Sequence, residues 1–150
     1  IVAIDGPSGP LEAAQPPMSV TVRLATEIDI SRGDILCRPG NHPEPTQDID
    51  ATVCWMDADA LTVGRKLGIL HTSRMARAMV KDIDYELDVN TLHRNPDIHE
   101  LGLNSIGRVK LRVTSPLLVD EYADNRSTGA FILIDEATNR TVGAGVVRHH

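Results

Sequence analysis

The chain has 150 residues, of which 41% are hydrophobic and 24% are charged, and its formal net charge is −6. These values are typical of a globular protein, and the length predicts one domain, or one complete domain with a piece of another. The acidic balance argues against a protein whose main task is binding nucleic acid, because phosphate neutralisation needs clustered Lys and Arg. No apolar stretch approaches the roughly 20 residues that cross a bilayer, so we expect a cytoplasmic protein with no membrane partner.

Both ends of the sequence resemble cut ends. The chain begins at Ile1, inside an apolar run and without Met, and it ends in His149-His150 after the last apolar run. We therefore expect a fragment of a longer protein, with residues 149–150 as a tag or the remnant of one.

The first part of the chain predicts a short set of strands. Ile1–Asp5 is an apolar run that ends in the turn cluster Gly6–Pro10, and Ser19–Ala25 alternates as a half-buried strand does. Ile35–Cys37 predicts a third strand, and Arg38–Pro45, with three prolines, predicts a linker. Three strands with an open edge are not stable alone, so this set is expected to need partners.

Alternation resumes after the linker. Arg74–Val89 begins with helical spacing, but it alternates strictly from Ile83 onward and is interpreted as mostly strand. Thr91–Leu103 is polar and rich in turn residues. Many short strands with little helix predict an all-β protein, an antiparallel sandwich or barrel. The remaining predicted strands are Ile49–Met56, Leu67–Thr72, Ile106–Thr114, Leu117–Tyr122, Gly129–Asp135 and Thr141–Val147.

The glycine-rich turn Gly6–Pro10 does not have the residues of a catalytic or phosphate-binding loop. A Walker A loop starting at Gly6 would need Gly and Lys where Leu11 and Glu12 stand, and Glu12 would repel a phosphate. A nucleophile elbow would need a glycine two residues after Ser8, where the sequence has Pro10. The turn is therefore predicted to be a hairpin.

Metal ligation by His93, Asp97 and His99 is a weak hypothesis. Structural zinc sites need four ligands, usually in two close pairs, whereas Cys37 and Cys54 stand singly. Cys54, on an alternating strand, is predicted to be a small buried hydrophobic residue. The sequence thus predicts no catalytic, cofactor-binding or metal-binding residue in this chain.

Charged residues alternate on several predicted strands. Arg108, Lys110 and Arg112 share one face of a strand, and they lack the interleaved aromatic residues of a nucleic-acid platform. Cross-strand pairing with acidic strands is the simpler explanation, and the acidic residues are expected to form the solvated faces of half-buried strands. Those acidic residues are Asp57, Asp59, Asp82, Asp84, Glu86 and Asp88.

Four stretches carry a resemblance to a known family. Pro17–Leu24 and Glu27–Asp34 resemble the end of the second domain of translational GTPases such as elongation factor Tu. Asn125–Asp135 and Thr138–Gly145 look like the hairpin that ends their third domain. The wording Asp-Ile-Ser-Arg-Gly-Asp and Thr-Gly-Ala-Phe-Ile-Leu-Ile-Asp favours the branch of sulfate adenylyltransferase subunit 1, the large GTPase subunit of bacterial ATP sulfurylase.

The resemblance implies a division of the chain and a role for the parent protein. Residues 1–40 would be the last strands of a domain II barrel and residues 41–148 a six-stranded, antiparallel Greek-key barrel like domain III. The family's large subunit hydrolyses GTP and drives a small catalytic subunit, which joins ATP and sulfate into adenylyl sulfate and pyrophosphate. Some members are fused to an adenylyl-sulfate kinase. GTP and Mg²⁺ belong to a G domain that would precede Ile1, so this segment is expected to be non-catalytic and to bind no nucleotide.

One loop is implied to have a partner. The loop Asp57–Arg65 is similar to a region that faces the G domain in elongation factor Tu, which makes Asp57, Asp59 and Arg65 the expected interface with that domain. Two alternatives remain open. One is a fragment of an elongation or initiation factor that binds tRNA, and the other is a stand-alone β-barrel interaction module.

Overall fold

A computed structural model describes residues 1–148, and the predicted C-terminal tag, His149-His150, lies outside the described residues. The chain divides into two compact units, Ile1–Ser31 and the part from Arg32 onward. This division falls earlier than the predicted boundary between residues 1–40 and 41–148. The assignment of those two segments to domains II and III stays a prediction.

The smaller unit contains a three-stranded antiparallel sheet in the order β2-β1-β3. The predicted turn at Gly6–Pro10 joins the first two strands as a hairpin, with Gly6 opposite Gly9. An exposed ion pair between Arg23 and Asp5 spans the other strand pair, in which Asp5 lies opposite Thr21. The strands are β1 (Ala3–Gly6), β2 (Gly9–Leu11) and β3 (Thr21–Arg23).

The larger unit is built from long strands with short connections. Three of them exceed ten residues, β4 with 11, β7 with 14 and β10 with 13. Each pairs with neighbours on both of its sides. The strands are β4 (Pro45–Trp55), β5 (Leu61–Thr62), β6 (Lys66–His71), β7 (Arg74–Leu87), β8 (Arg94–Asn95), β9 (Glu100–Leu101), β10 (Ile106–Leu118), β11 (Ala130–Ile134) and β12 (Thr141–Val147).

Six of these strands close into an antiparallel barrel. The sheet order is β10-β4-β12-β11-β6-β7, and β10 also pairs with β7, which joins the two edges. The strands β6, β7 and β10 are consecutive neighbours, and β4 lies beside β10, which is the Greek-key arrangement. Closure removes the open strand edges that would otherwise favour aggregation. The predicted all-β, antiparallel six-stranded barrel is confirmed.

The barrel core follows from strict alternation of side chains. On β4, Ile49, Ala51, Val53 and Trp55 are all at most 2% exposed, because alternate residues of a strand point to the same face. The inward positions on β12 include Gly143 and Gly145. A Cβ on Gly145 would overlap the Phe131 ring, and one on Gly143 would lie 3.2 Å from the Trp55 ring. Small residues on β12 therefore make room for the aromatic side chains of the core.

Two predicted strands differ from the structure. Ile35–Cys37 is not a strand, because no other described segment pairs with it, and the nearest bridge joins Arg38 to Asn41. Leu117–Tyr122 is not a separate strand either. Its first residues continue β10 across an irregularity between Arg112 and Leu117, where Pro116 has no backbone N–H to donate.

The strand interpretation of Arg74–Val89 is confirmed, since β7 covers most of that range. Its early helical spacing is misleading because β-bulges shift its register against β10. Among residues 1–148, no helix has the length and hydrophobicity that a membrane crossing requires.

Candidate functional site

The loop between β4 and β6 is organised around one guanidinium group. Arg65 Nη1 donates hydrogen bonds to the backbone oxygens of Asp59 and Ala60, each at 3.0 Å. Its Cζ lies 4.9 Å from the centre of the Trp55 ring, within the range of a cation–π contact. The Trp55 Nε1–H donates to the Asp59 oxygen at 2.8 Å. The loop is thus held against the buried indole by the side chain that ends it.

Two carboxylates complete this arrangement around Arg65. Arg65 Nη2 lies 3.4 Å from Asp57 Oδ2 and 3.8 Å from Asp135 Oδ2. Asp57 also accepts a hydrogen bond from the Ala58 N–H at 2.9 Å, and so closes the start of the loop. The Arg65, Asp57 and Asp135 side chains are between 19% and 27% exposed, so these ion pairs are only partly hydrated. Arg65 therefore connects the loop to the turn between β11 and β12.

The turn between β11 and β12 is fixed by Asp135. Its carboxylate accepts backbone N–H groups from Thr138 at 3.1 Å and from Ala137 at 2.8 Å. These two hydrogen bonds, with Arg65 as the smallest contributor, hold the pKa of Asp135 below its usual range. Sequence reasoning missed the roles of Trp55 and Asp135, because neither the contact of Arg65 with the Trp55 ring nor its approach to Asp135 on another hairpin corresponds to a sequence pattern.

The three expected interface residues differ in what their side chains can offer a partner. The Asp57 and Arg65 side chains are paired with each other, so their first role is to shape the loop. Asp59 uses its backbone oxygen within the loop, whereas its exposed side chain forms no ion pair with any residue between 1 and 148. Met56 and Val63, on the same connection between β4 and β6, are 42% and 51% exposed. The loop thus presents one carboxylate and two apolar side chains to solvent.

The basic residues of β10 are paired across the sheet, as predicted. Arg108 pairs with Asp50, Lys110 Nζ lies 2.8 Å from Asp84, and Arg112 Nη1 lies 2.6 Å from Asp48. Only Asp84 belongs to the acidic runs singled out in the sequence. The other two partners lie on β4, and all three cations are already engaged inside the barrel unit.

These pairs shift the protonation of the cations toward the charged form. The hydrogen bond to Asp50 raises the pKa of Arg108, and the hydrogen bond to Asp84 raises the pKa of Lys110. A phosphate backbone would have to displace these carboxylates before it could bind here.

His93, Asp97 and His99 were the residues considered for metal ligation. His99 Nδ1 is 3.0 Å from the backbone oxygen of Ile83, which engages one of its two ring nitrogens. Within residues 1–148 no group of three His, Cys, Asp or Glu side chains is arranged to hold a metal ion. Cys37 is exposed, and Cys54 is only half-buried, not buried as predicted. Because Val53 and Trp55 point inward, Cys54 must point to the outer face of β4.

No nucleotide cradle is formed by the glycine-rich hairpin. The turn Gly6–Gly9 joins two strands rather than a strand and a helix, and no Lys lies within it. The residues present therefore do not fit GTP. A cleft of about 960 Å³ lies on the barrel unit, lined by both charged and apolar residues, such as Asp48, Lys81, Asp120, Ile49 and Val119, and it includes no residue of the Asp57–Arg65 loop.

Comparison with known proteins identifies the family of the barrel. Residues 48–148 match the family described as "GTP-eEF1A C-terminal domain-like". The structure is also similar to the crystal structure of sup35 complexed with GDP, with a TM-score of 0.86 and 18% identity, over 98% of this chain and 36% of that one. At that identity the likeness concerns the fold alone.

Two curated proteins are more similar in sequence. "Bifunctional enzyme CysN/CysC" of Mycobacterium tuberculosis (strain H37Rv) is 57% identical over 148 residues, which cover 98% of this chain and 24% of that protein. "Sulfate adenylyltransferase subunit 1" of Shewanella woodyi is 43% identical over 149 residues, which cover 99% of this chain and 31% of that protein. The chain thus spans about a quarter to a third of the length of these relatives. The resemblance to sulfate adenylyltransferase subunit 1 is confirmed, and the chain belongs to the GTP-eEF1A C-terminal domain-like family.

Proposed function

We propose that this chain is a non-catalytic barrel region of the GTP-hydrolysing subunit of a sulfate adenylyltransferase. In the longer protein it would transmit the state of a G domain to the site where ATP and sulfate are converted to adenylyl sulfate and pyrophosphate. The observation that carries this proposal is the 57% identity to a CysN/CysC enzyme along almost the whole chain. The curated relatives named CysN/CysC and sulfate adenylyltransferase subunit 1 are 57% and 43% identical, which favours the sulfurylase branch over a translation factor.

The chemistry in this proposal belongs to other parts of the protein and to its partners. GTP and Mg²⁺ would be held by the G domain, and the transfer reaction would take place on a small catalytic subunit. A kinase domain fused to the same polypeptide is consistent with the double name of the CysN/CysC relatives. The proposed compartment is the cytoplasm.

The barrel's contribution would be mechanical. A closed barrel behaves as a rigid body, and a switch in a neighbouring domain can be read by how such bodies dock. We place the contact with the G domain at the Asp57–Arg65 loop. Arg65 ties this loop to Trp55 in the core and to Asp135 on the next hairpin. A force on the loop would therefore move the whole barrel instead of deforming the loop alone.

The tRNA-binding alternative requires free cations on the barrel. Arg108, Lys110 and Arg112 all have carboxylate partners, and the chain carries a net charge of −6. A filter-binding titration of tRNA at low salt separates the two functions. Binding that weakens steeply with added salt would favour the translation-factor alternative.

The proposal is tested by reversing the charge of Asp59 in the full-length protein assembled with its catalytic subunit. Asp59→Lys changes an exposed carboxylate that forms no ion pair inside the described chain, so folding is expected to be unaffected. The stimulation of adenylyl sulfate synthesis by GTP should fall about tenfold, as for a charge at the centre of an interface. Asp97→Lys is the matched control, because Asp97 is also exposed and lies on a different loop of the same unit.

Adenylyl sulfate synthesis without GTP is measured in parallel, so that the stimulation by GTP is calculated for each variant from its own basal rate. Equal GTP stimulation in wild type, Asp59→Lys and Asp97→Lys would refute the proposed contact. Absence of GTP-stimulated synthesis in the wild-type complex would refute the sulfurylase function itself.

A further inference from the structure

The backbone oxygen of Asp59 accepts two hydrogen bonds from side chains at the two ends of its loop. The Trp55 Nε1–H donates to it at 2.8 Å, and Arg65 Nη1 donates to it at 3.0 Å. The same Nη1 donates to the Ala60 oxygen at 3.0 Å. A carbonyl oxygen has two lone pairs, so both of those on Asp59 are used within the loop.

Both donors are themselves fixed to the barrel. The Trp55 ring is fully buried, and the Trp55 backbone nitrogen and oxygen each lie 2.9 Å from the turn before β10, at the Ser105 oxygen and the Asn104 nitrogen. The Arg65 backbone oxygen accepts a hydrogen bond from the Val80 N–H on β7 at 3.0 Å. The Arg65 guanidinium group also lies over the Trp55 ring. The Asp59 oxygen is therefore bound to groups that move with the barrel.

The stretch between Trp55 and Leu61 depends on these side chains for its conformation. β4 ends at Trp55 and β5 begins at Leu61, so residues 56–60 lie outside the strands. Fixing the Asp59 oxygen fixes the plane of its peptide group, because the peptide bond is planar. The exposed Asp59 side chain is then left with only the rotation about its own bonds.

Arg65 and Asp59 differ in what they have left for a second domain. Arg65 Nη1 is used by loop oxygens, and Nη2 lies 3.4 Å from Asp57 and 3.8 Å from Asp135. One face of its guanidinium group covers the Trp55 ring, and the side chain is only 20% exposed. Asp59 is exposed and forms no ion pair with any residue of the described chain, 1–148. The resemblance places both residues at one interface, but their contacts give them separate roles.

We propose that Trp55 and Arg65 are positioning residues for the contact with the G domain, and that they act through Asp59 without touching that domain themselves. This inference rests on the proposed function, which places the contact at the Asp57–Arg65 loop. A side chain that is held in one direction before docking loses less conformational freedom on docking, which favours association. Loss of either donor would leave Asp59 exposed but free to adopt several directions.

The test measures GTP-stimulated adenylyl sulfate synthesis by the full-length protein assembled with its catalytic subunit. Arg65→Lys keeps the positive charge but loses the flat, forked donor group that stacks on an aromatic ring. The maximal stimulation should fall about fivefold, as for the loss of one or two hydrogen bonds. The GTP concentration that gives half of the stimulation should stay within about twofold of wild type, because the nucleotide would be held by another domain.

A double-mutant cycle shows whether Arg65 acts through Asp59. Asp59→Ala removes the carboxylate that Arg65 is proposed to position. In the Asp59→Ala background, Arg65→Lys should therefore lower the stimulation by less than about twofold. A guanidinium group that touched the G domain directly would lose its contact in either background, so equal fold losses in both would overturn the inference. Unchanged stimulation in Arg65→Lys alone would overturn it as well.

A matched control and a second variant complete the test. Arg94→Lys is the control, since Arg94 also lies over an aromatic ring, 5.1 Å from the centre of Tyr85, but on β8. A loss in Arg94→Lys as large as that in Arg65→Lys would contradict the positioning role. Trp55→Phe keeps a ring, removes the indole N–H and changes no charge, and it should lower the stimulation with the same dependence on Asp59. Each variant is assayed at a temperature at which its own thermal unfolding curve shows it folded.

Failure of this inference is distinct from failure of the proposed function. A complex in which Asp59→Lys lowers the stimulation but Arg65→Lys does not would leave the function and the contact standing and remove only the positioning role. Wild-type stimulation in Asp59→Lys would refute the contact and this inference with it, whereas the absence of stimulation in the wild-type complex would refute the function itself.

Discussion

The two sides of the barrel exterior are built on the same strand geometry but have opposite chemistry. The outward side chains of β10 are Arg108, Lys110 and Arg112, each paired with a carboxylate. The outward side chains of β11 and β12 are apolar, from Ala130 to Val146. The alternation of side chains along a strand determines which residues point away from the core. It does not determine whether those outward residues are polar or apolar. The difference indicates that the β10 side places its charges in salt bridges, whereas the β11 and β12 side leaves apolar side chains half-buried on the outer face.

The two sides also differ in what holds the core beneath them. Under the charged side, the inward residues of β10 are aliphatic and fully buried, Val109, Leu111 and Val113. Under the apolar side, the inward positions of β12 include glycines, and the Phe131 and Trp55 rings fill the space. The apolar side is therefore less tolerant of added volume in its core than the charged side.

The largest expected effect comes from removing a core side chain beneath the apolar outer face of β11 and β12. Leu133→Ala should lower the free energy of unfolding by about 2–5 kcal/mol, because Leu133 is fully buried and leaves a cavity. Ile132→Ala removes the neighbouring outward side chain and should cost less than about 1.5 kcal/mol. Urea denaturation of the two variants measures both values. Equal losses would contradict the assignment of Ile132 to the exterior.

Added volume in the same region should cost somewhat less. Gly145→Ala places a Cβ against the Phe131 ring and should destabilise the barrel by about 1–3 kcal/mol through overpacking. Gly102→Ala is the control, since the nearest atom to its Cβ would be Ser105 Oγ at 3.9 Å. The control should change stability by less than about 0.5 kcal/mol. A neutral Gly145→Ala would show that the core beneath β12 can rearrange.

The charged side is tested by removing two of its cations separately. Arg108 and Asp50 are 14% and 16% exposed, so Arg108→Ala leaves a poorly hydrated carboxylate and should cost about 2 kcal/mol. Arg112 and Asp48 are 46% and 62% exposed, and Arg112→Ala should cost less than about 1 kcal/mol. Thermal unfolding at low and high salt gives both values. A larger loss for Arg112→Ala would mean that burial does not control these pairs.

The smallest effect concerns acid stability at the turn between β11 and β12. Because the pKa of Asp135 is lower in the folded state, its contribution is present above the ordinary aspartate pKa and is lost as the pH falls through the folded value. Asp135→Asn keeps an oxygen acceptor for the turn but cannot titrate. The melting temperature of wild type should therefore fall more steeply than that of Asp135→Asn below about pH 4. Parallel curves would show that this carboxylate does not contribute.

Long alternating strands were predictable from the sequence, whereas short ones were not. The structure confirms the strands predicted at Ile49–Met56 and Thr141–Val147, with the bounds of the first differing by a few residues. These strands could be predicted because the alternation of apolar and polar residues repeats many times along them. Strands of two residues such as β5 and β9 have no measurable period. Ile35–Cys37 has an apolar composition but no partner strand among the described residues, and composition alone cannot supply pairing.

The candidate site was predictable only in part, since its geometry depends on contacts distant in sequence. The resemblance pointed to the Asp57–Arg65 loop, but the stacking of Arg65 on Trp55 and its approach to Asp135 require the closed barrel. The apolar outer face of β11 could not be predicted for a similar reason. The run Phe131-Ile132-Leu133-Ile134 is apolar on both faces, and alternation cannot show which half is outside.

The position of Arg65 constrains how this loop can change over time. One side chain touches the ring of Trp55, two backbone oxygens at Asp59 and Ala60, and a carboxylate on a separate hairpin. A substitution at Arg65 would remove all of these contacts at once. The residues that contact Arg65 would have to change in the same step for the loop to keep its conformation. The length and conformation of the loop should therefore change little between related proteins. The residue at the position of the exposed Asp59 can change with the surface that this side chain contacts.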